Sequence, residues 1–260
     1  MKIQLNNKRA LVTGGNSGIG KAIALALANA GAKVAINYIA HQEAADEMVK
    51  QIEDQKGEAI AVKADISDPS AVSSMFDQIK QKWGGIDILV NNAGIDGERQ
   101  LSWEADIEKW KKVIDINLFG AFYCSHHALK YMIPQKSGVV LNISSVHEII
   151  AWSGYSAYTA SKAGIGMMTQ TLAQEAAPYG VRVLSLGPGA IKTPINKPVW
   201  DNPKTLNDLL EKIPLNRLGT TEEIAQMVVI LVSDAASYVT GRTIFVDGGM
   251  TEYPDFSHGG

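Results

Sequence analysis

The stretch from Arg9 to Ala30 constrains the fold more than any other. Arg9-Ala10-Leu11-Val12-Thr13 is a short apolar run of the kind that makes a buried strand. It leads directly into Gly14-Gly15-Asn16-Ser17-Gly18-Ile19-Gly20, and then into an Ala/Leu-rich helical pattern that reaches Ala30, with Gly31 placed to end it. Strand, glycine turn, helix is the context in which a backbone approaches a pyrophosphate. Gly14, Gly18 and Gly20 permit a tight turn and close packing, and the helix N-terminus offers N–H groups to the phosphates. The spacing is G-x-x-x-G-x-G, not the more familiar G-x-G-x-x-G. A glycine-rich turn can also be a plain connection; its position ahead of a long amphipathic helix is what points to a dinucleotide.

The same alternation continues to the end of the chain. Strand patterns stand at Lys33–Tyr38, Ala59–Ala64, Asp87–Val90, Gly138–Leu141, Val181–Leu186 and Thr243–Asp247, and helical patterns fall between them. The helices expected are Gln42–Gln55, Ser70–Trp83, one long helix from about Glu104 to Met132, Ala157–Ala177, and Glu222–Val232 with Thr220 and Thr221 as cap candidates. Strands alternating with helices imply an α/β fold: a single-domain, Rossmann-type, doubly wound parallel sheet of about seven strands with helices on both faces. No linker divides residues 1–260. Residues 190–218 are polar and proline-containing, with a short apolar helix pattern at Leu206–Ile213, and read as a flap over a site.

The chemistry concentrates between Asn142 and Lys162. Ser145 falls where a strand ends, and Tyr158 and Lys162 fall near the start of a helix, four residues apart and so on one face. A phenol is a poor base at neutral pH, and a neighbouring ammonium favours the phenolate. The pair is therefore a way to make a usable base, with the Ser145 hydroxyl placed to hold the oxygen whose proton is taken. Tyr-x-x-x-Lys alone is a common surface accident, and Ser145 alone is an ordinary turn residue. Their conjunction with the N-terminal glycine turn gives the signal weight.

Other strand ends add candidates. The second strand ends in Asn37-Tyr38-Ile39, with no acid to bind ribose hydroxyls and no Arg or Lys at Ser17 or Ile39 to grip a 2′-phosphate, so both NAD and NADP are expected. Asp65 either accepts from an adenine amino group or caps a turn before Asp68-Pro69. Asn91-Asn92-Ala93-Gly94 suits a backbone lying against a flat ligand. Asn117 is a poor mid-helix residue and implies a local break holding a water.

The net charge of -3 without a basic block argues against nucleic acid. No apolar run approaches the roughly 20 residues that cross a membrane, and no apolar signal region opens the chain. One cysteine, Cys124, permits no internal disulfide and points to the cytoplasm. No metal is expected.

Together, Thr13-Gly14-x-x-x-Gly18-Ile19-Gly20, Asn91-Asn92-Ala93-Gly94, Asn117, Ser145 thirteen residues before Tyr158, Tyr158-x-x-x-Lys162 and Pro188-Gly189 resemble the short-chain dehydrogenase/reductase family over essentially the whole length. The resemblance implies that Tyr158 is base in oxidation and acid in reduction. It implies that Lys162 lowers the pKa of Tyr158 and binds the nicotinamide ribose, that Ser145 holds the substrate oxygen, and that Asn117 anchors a relay water. It implies a cofactor set of Gly14, Asn16, Ser17, Gly18, Ile19, Gly20, Tyr38, Asp65, Ile66, Asn91, Ala93, Gly94, Pro188, Gly189, Ile191 and Thr193, with Thr193 on the carboxamide, and it implies a homotetramer.

Within the family, Ser144-Ser145-Val146-His147-Glu148, Thr193-Pro194-Ile195-Asn196, Ala236–Gly241 and Asp247–Thr251, with Tyr253, Pro254 and Phe256, resemble the bacterial glucose 1-dehydrogenases. Asp96 stands where those enzymes carry Glu, and Gly154-Tyr155 replaces a bulkier proline-containing pair. The expected substrate is glucose, oxidised at C1 to the lactone, with Asp96, Ser145, His147, Tyr158 and Asn196 as its contacts. The alternative is a carbonyl or 3-oxoacyl reductase of the same family, acting on a ketone. A non-enzymatic nucleotide-binding regulator is opposed by the intact Ser-Tyr-Lys set, and a serine hydrolase by the lack of a G-x-S-x-G elbow around Ser145.

Overall fold

The computed structural model describes residues 3–194 and 197–252. Its strands are β1 Arg9–Val12, β2 Lys33–Tyr38, β3 Ala59–Lys63, β4 Ile88–Asn91, β5 Gly138–Ile143, β6 Val181–Pro188 and β7 Thr243–Val246. They form one seven-stranded sheet in the order β3-β2-β1-β4-β5-β6-β7, and all six pairings are parallel. Parallel neighbours need crossovers, and the helices supply them. These are α1 Gly18–Asn29, α2 Gln42–Asp54, α3 Pro69–Trp83, α4 Ile107–Ile114, α5 Ala121–Gln135, α6 Ser156–Ala176, α7 Lys197–Trp200, α8 Pro203–Leu210 and α9 Thr221–Val232.

Both faces of the sheet are covered, which is why its strands read as continuous apolar runs. Successive residues of β1 and β4 go to opposite sides. Val12 and Val90 join a core that includes Ile23, Leu27, Met48, Ile224 and Val228 of α1, α2 and α9. Leu11 and Leu89 join another that includes Met75, Phe76, Cys124, Met132 and Leu172 of α3, α5 and α6. Among the described residues no helix is long and apolar enough to cross a membrane.

The helix boundaries follow their caps. Asp68 accepts from Ser70 N ahead of Pro69 at the first position of α3. Thr220 and Glu223 form a reciprocal capping box on α9. Asn202, with Pro203 behind it, starts α8 three residues before the apolar pattern would place it. The expected long helix from Glu104 to Met132 is instead two helices. It starts at Ile107, where the Asp106 carboxylate accepts from Glu108 N and Lys109 N, and it is interrupted by the π-helical segment Asp115–Gly120. The interruption expected at Asn117 is therefore present. Its side chain leaves the helix to bond the backbone of Ile95, Oδ1 accepting from N at 2.9 Å and Nδ2 donating to O at 2.9 Å.

Candidate functional site

In a parallel sheet the loops after the strand C-termini enclose a crevice where the strand order reverses. Here β1 lies between β2 and β4, and a cleft of about 640 Å³ opens at the strand ends. Gly14, Asn16, Ser17, Gly18, Ile19 and Gly20 line it. Gly14 and Gly18 adopt φ of +59° and +51°, a region that L side chains avoid. A Cβ on Gly20 would collide with the Gly14 carbonyl and the Asn92 amide. The turn is braced from both sides. Asn37 Oδ1 accepts from Gly14 N at 3.2 Å, and Asn92 Nδ2 donates to Thr13 O at 2.9 Å and Gly14 O at 3.2 Å.

The residues present fit a dinucleotide. The first turn of α1 leaves N–H groups without intrahelical partners, Ser17 provides no side-chain cap, and the space in which a Gly18 Cβ would stand is open. Ile191 and Thr193 line the same cleft. Thr193 Oγ1 is buried and without a hydrogen-bond partner among the described residues, which suits it to a ligand amide.

Ser145 lies just beyond β5 with extended backbone, and its Oγ accepts from His147 N at 3.2 Å. Tyr158 and Lys162 lie one turn apart on α6, and Lys162 Nζ is 5.5 Å from the centroid of the Tyr158 ring. Lys162 is buried and donates to Ile143 O at 2.8 Å. Burial pushes the Tyr158 phenol up to about 12; a hydrogen bond with Ser145 pulls it down, and the Asp96 charge pushes it further up. Burial brings the Lys162 ammonium down to about 8 against the opposing pull of Asp96 and Glu148. The expected lowering of the Tyr158 pKa is thus reversed. Desolvation favours the neutral form of each group and is the largest cause of both shifts.

Asp96 and His147 also line the cleft. Burial raises the Asp96 carboxyl, with Lys162 and His147 opposing, and burial lowers the His147 imidazole, opposed by its hydrogen bond with Ile150 O and by Asp96. His147 Nδ1 lies 3.0 Å from that carbonyl, so the neutral ring donates there. Its ring stacks on Trp152 at 4.4 Å, Trp152 stacks on Tyr155 at 3.9 Å, and both His147 and Trp152 meet the Tyr158 ring edge-on.

Asp65, Ile66, Ala93, Gly94, Pro188 and Gly189 line the cleft as expected. Asp65 Oδ1 already accepts from Ser67 N and Oγ at 2.9 and 2.6 Å, so the turn role expected of it is present. Three expected site residues do not line it. The Tyr38 side chain turns into the core beneath α1 and α2, because alternation along β2 sends it to that face; Asn37, Ile39, Ala40 and His41 take the lining positions. Asn91 is a buried bracket, Nδ2 donating to Asn142 Oδ1 at 2.8 Å and Ser125 Oγ at 3.0 Å. Asn117 is occupied by Ile95 and by Ser161 Oγ at 3.1 Å. Asn196 lies outside the described residues, as does the aromatic tail after 252. Sequence reasoning missed Trp152, Trp200 and Leu209, all of which line the cleft. For Trp152 a signal existed: an aromatic in the loop joining Ser145 to Tyr158.

The comparisons with known proteins agree with this geometry. A family model described as Enoyl-(Acyl carrier protein) reductase matches residues 14–251. The chain is 44% identical over 256 residues to 3beta-hydroxysteroid dehydrogenase 1 of Eggerthella lenta, covering 98% of each chain. It is 41% identical to glucose 1-dehydrogenase 2 of Bacillus subtilis, covering 96% of this chain and 97% of that protein. Among solved structures, a gluconate 5-dehydrogenase from Burkholderia cenocepacia in complex with NADP and tartrate superposes with a TM-score of 0.91 at 32% identity, covering 96% of this chain and 98% of that one. With its glycine turn, its parallel sheet and these relatives over nearly its full length, the chain belongs to the short-chain dehydrogenase/reductase family and is an oxidoreductase that uses NAD or NADP on a CH–OH group.

Proposed function

We propose that the chain oxidises the anomeric hydroxyl of glucose or a close aldose to the lactone, with Tyr158 as the acid/base. The observation that carries this reading is the convergence of Ser145, Tyr158 and Lys162 in one cleft with two polar groups, Asp96 and His147. Tyr158 and Ser145, which line one cleft, offer two hydroxyls to one substrate oxygen. Bound nicotinamide supplies the hydride acceptor or donor. Tyr158 takes the proton from the substrate hydroxyl in oxidation and returns it in reduction, and Lys162 orients and charges its surroundings. Gly14 and the first turn of α1 hold the phosphates, and Thr193 holds the carboxamide. Asp96, His147 and Asn196 would pair with ring hydroxyls.

A second reading has its own support. Tyr158, raised by burial, keeps its proton at neutral pH, the state needed to protonate the oxygen of a ketone or a 3-oxoacyl thioester. Trp152 and Leu209 on the cleft wall would accommodate a less polar substrate. The test is kcat/KM for glucose with each cofactor against a panel of ketones and 3-oxoacyl thioesters in reverse. Efficient glucose turnover, sharply reduced for 2-deoxyglucose, supports the sugar reading, because each unpaired buried polar group costs about 1–3 kcal/mol. Undetectable glucose turnover beside efficient ketone reduction would replace it with the reductase.

A cytoplasmic homotetramer is the assembly and setting we propose. Ile107, Phe119, Phe122 and Met167, exposed around α4, α5 and α6, support association.

A further inference from the structure

Glu148 belongs to none of the groups assigned above, yet its carboxylate joins three elements beneath the reacting groups. It ends the 3-10 turn Val146–Glu148 that follows Ser145. Its Oε2 accepts from Ser144 Oγ at 2.6 Å, and its two oxygens accept from Thr243 Oγ1 of β7 at 2.9 and 3.1 Å. Helix α6 is notched to admit it. A Cβ on Gly166, one turn beyond Lys162, would collide with the Glu148 carboxylate. Glycine is a poor residue for the middle of a helix, and at 166 it leaves the space that the carboxylate fills.

Among the described residues Glu148 forms no ion pair. The cation its charge acts on is Lys162, which is also faced by Asp96 and by the Tyr158 ring. Ser144 and Thr243, its other neighbours, are uncharged. A carboxylate fixed by neutral hydroxyls keeps its negative charge available to act on a neighbouring ammonium.

We propose that Glu148 is a positioning residue of the reaction, fixing the Ser144–Ser145 loop against α6 and β7 and supplying the counter-charge that keeps Lys162 an ammonium. The proposal rests on the Ser145–Tyr158–Lys162 reading. It divides into two parts that substitution separates: Gln keeps the shape and loses the charge, whereas Asp keeps the charge and shortens the reach to Ser144 and Thr243.

The test uses the full-length protein with glucose and NAD forward, cyclohexanone and NADH in reverse, and NADH affinity by fluorescence, each from pH 6 to 10. Glu148→Gln is expected to fold with a near wild-type Tm and to lose on the order of tenfold in kcat. Its limb for Lys162 deprotonation should move to lower pH by about half a unit or more, in turnover and in NADH affinity alike. Glu148→Asp should lower kcat and leave that limb in place. Gly166→Ala should lower kcat by displacing the carboxylate, and combining it with Glu148→Gln should add little, since both act through one contact. An unmoved limb with wild-type kcat in Glu148→Gln overturns the proposal. So does a loss that follows Tm in every variant with the limb unmoved, which would make Glu148 a packing residue. Tyr158→Phe, assayed in parallel, separates this from failure of the underlying reading: if it turns over normally, the acid/base assignment falls. The NADH titration decides the Glu148 question even if neither substrate is turned over.

Discussion

Lys162 Nζ stands 5.5 Å from the centroid of the Tyr158 ring and donates to the Ile143 carbonyl at 2.8 Å, so strand β5 sets the position of the cation on helix α6. Both side chains are desolvated, and each is shifted toward its neutral form. Burial moves the two apart, the Tyr158 phenol up to about 12 and the Lys162 ammonium down to about 8, so the phenol holds its proton the more firmly of the two.

Replacing Tyr158 with Phe removes the hydroxyl proposed as acid/base and keeps the ring against His147 and Trp152. We expect kcat to fall on the order of 10²-fold or more, with cofactor affinity changed only a few-fold. Steady-state kinetics at saturating substrate and a fluorescence titration with NADH check the two halves. Near-normal turnover would remove Tyr158 from the mechanism.

Lys162→Met should lose activity and gain stability at pH 7. The folded-state pKa of Lys162 lies near 8, below its ordinary value of 10.5. Its burial penalty is therefore fully present below pH 8 and relieved as pH rises from 8 to 10.5. Removing the group should stabilise by about 1–3 kcal/mol at pH 7, less the lost bond to Ile143, with the gain shrinking toward pH 10. Thermal melts of both proteins across that range measure it; a variant less stable at pH 7 contradicts it.

Cofactor choice should respond at Ile39 and not at Tyr38. Ile39 is exposed and lines the cleft, whereas Tyr38 is buried. Ile39→Asp should depress NADP use more than NAD use by charge repulsion, and Ile39→Arg should do the reverse. Tyr38→Asp should instead destabilise the fold, since it buries a carboxylate without a partner. The ratio of kcat/KM for the two cofactors is the readout. A wild-type preference above about a thousandfold, roughly 4 kcal/mol, would place the determinant elsewhere.

At Gly20 the backbone leaves no room for a methyl group. Gly20→Ala would drive a Cβ into the Gly14 carbonyl and the Asn92 amide, costing about 1–3 kcal/mol by overpacking. NADH affinity should fall with it, because the same carbonyl shapes the turn proposed to hold the phosphates. By contrast, Gly18→Ala meets open space but adopts a strained φ of +51°, so it should destabilise without the same steric collision. Melting curves and NADH titrations of the two variants separate strain from collision.

Local pattern alone determined a good deal of this protein. The apolar runs of β1, β4 and β5 had to be strands covered on both faces, the glycines after β1 had to make a turn into α1, and Tyr158 and Lys162 had to share one face of α6. Each of these follows from side-chain period or backbone freedom within a few residues, which sequence carries directly. The irregularity at Asn117 was legible for the same reason, since an amide buried mid-helix must find partners, though not that those partners would be the backbone of Ile95.

Only the tertiary structure decided where the ends of separate strands meet. Tyr38 and Asn91 read as cofactor contacts, yet sheet alternation carries Tyr38 into the core, and the neighbouring β5 and α5 draw Asn91 into a buried bracket with Asn142 and Ser125. Tertiary structure likewise reversed the expected ionisation of Tyr158, because the pKa of a phenol depends on how much water surrounds it as well as on the charge four residues away. It also brought Glu148 to Thr243, 95 residues away in sequence, through a gap left by Gly166. Burial, and contact between distant segments, arise when the sheet and its helices close on one another, so no local pattern records them.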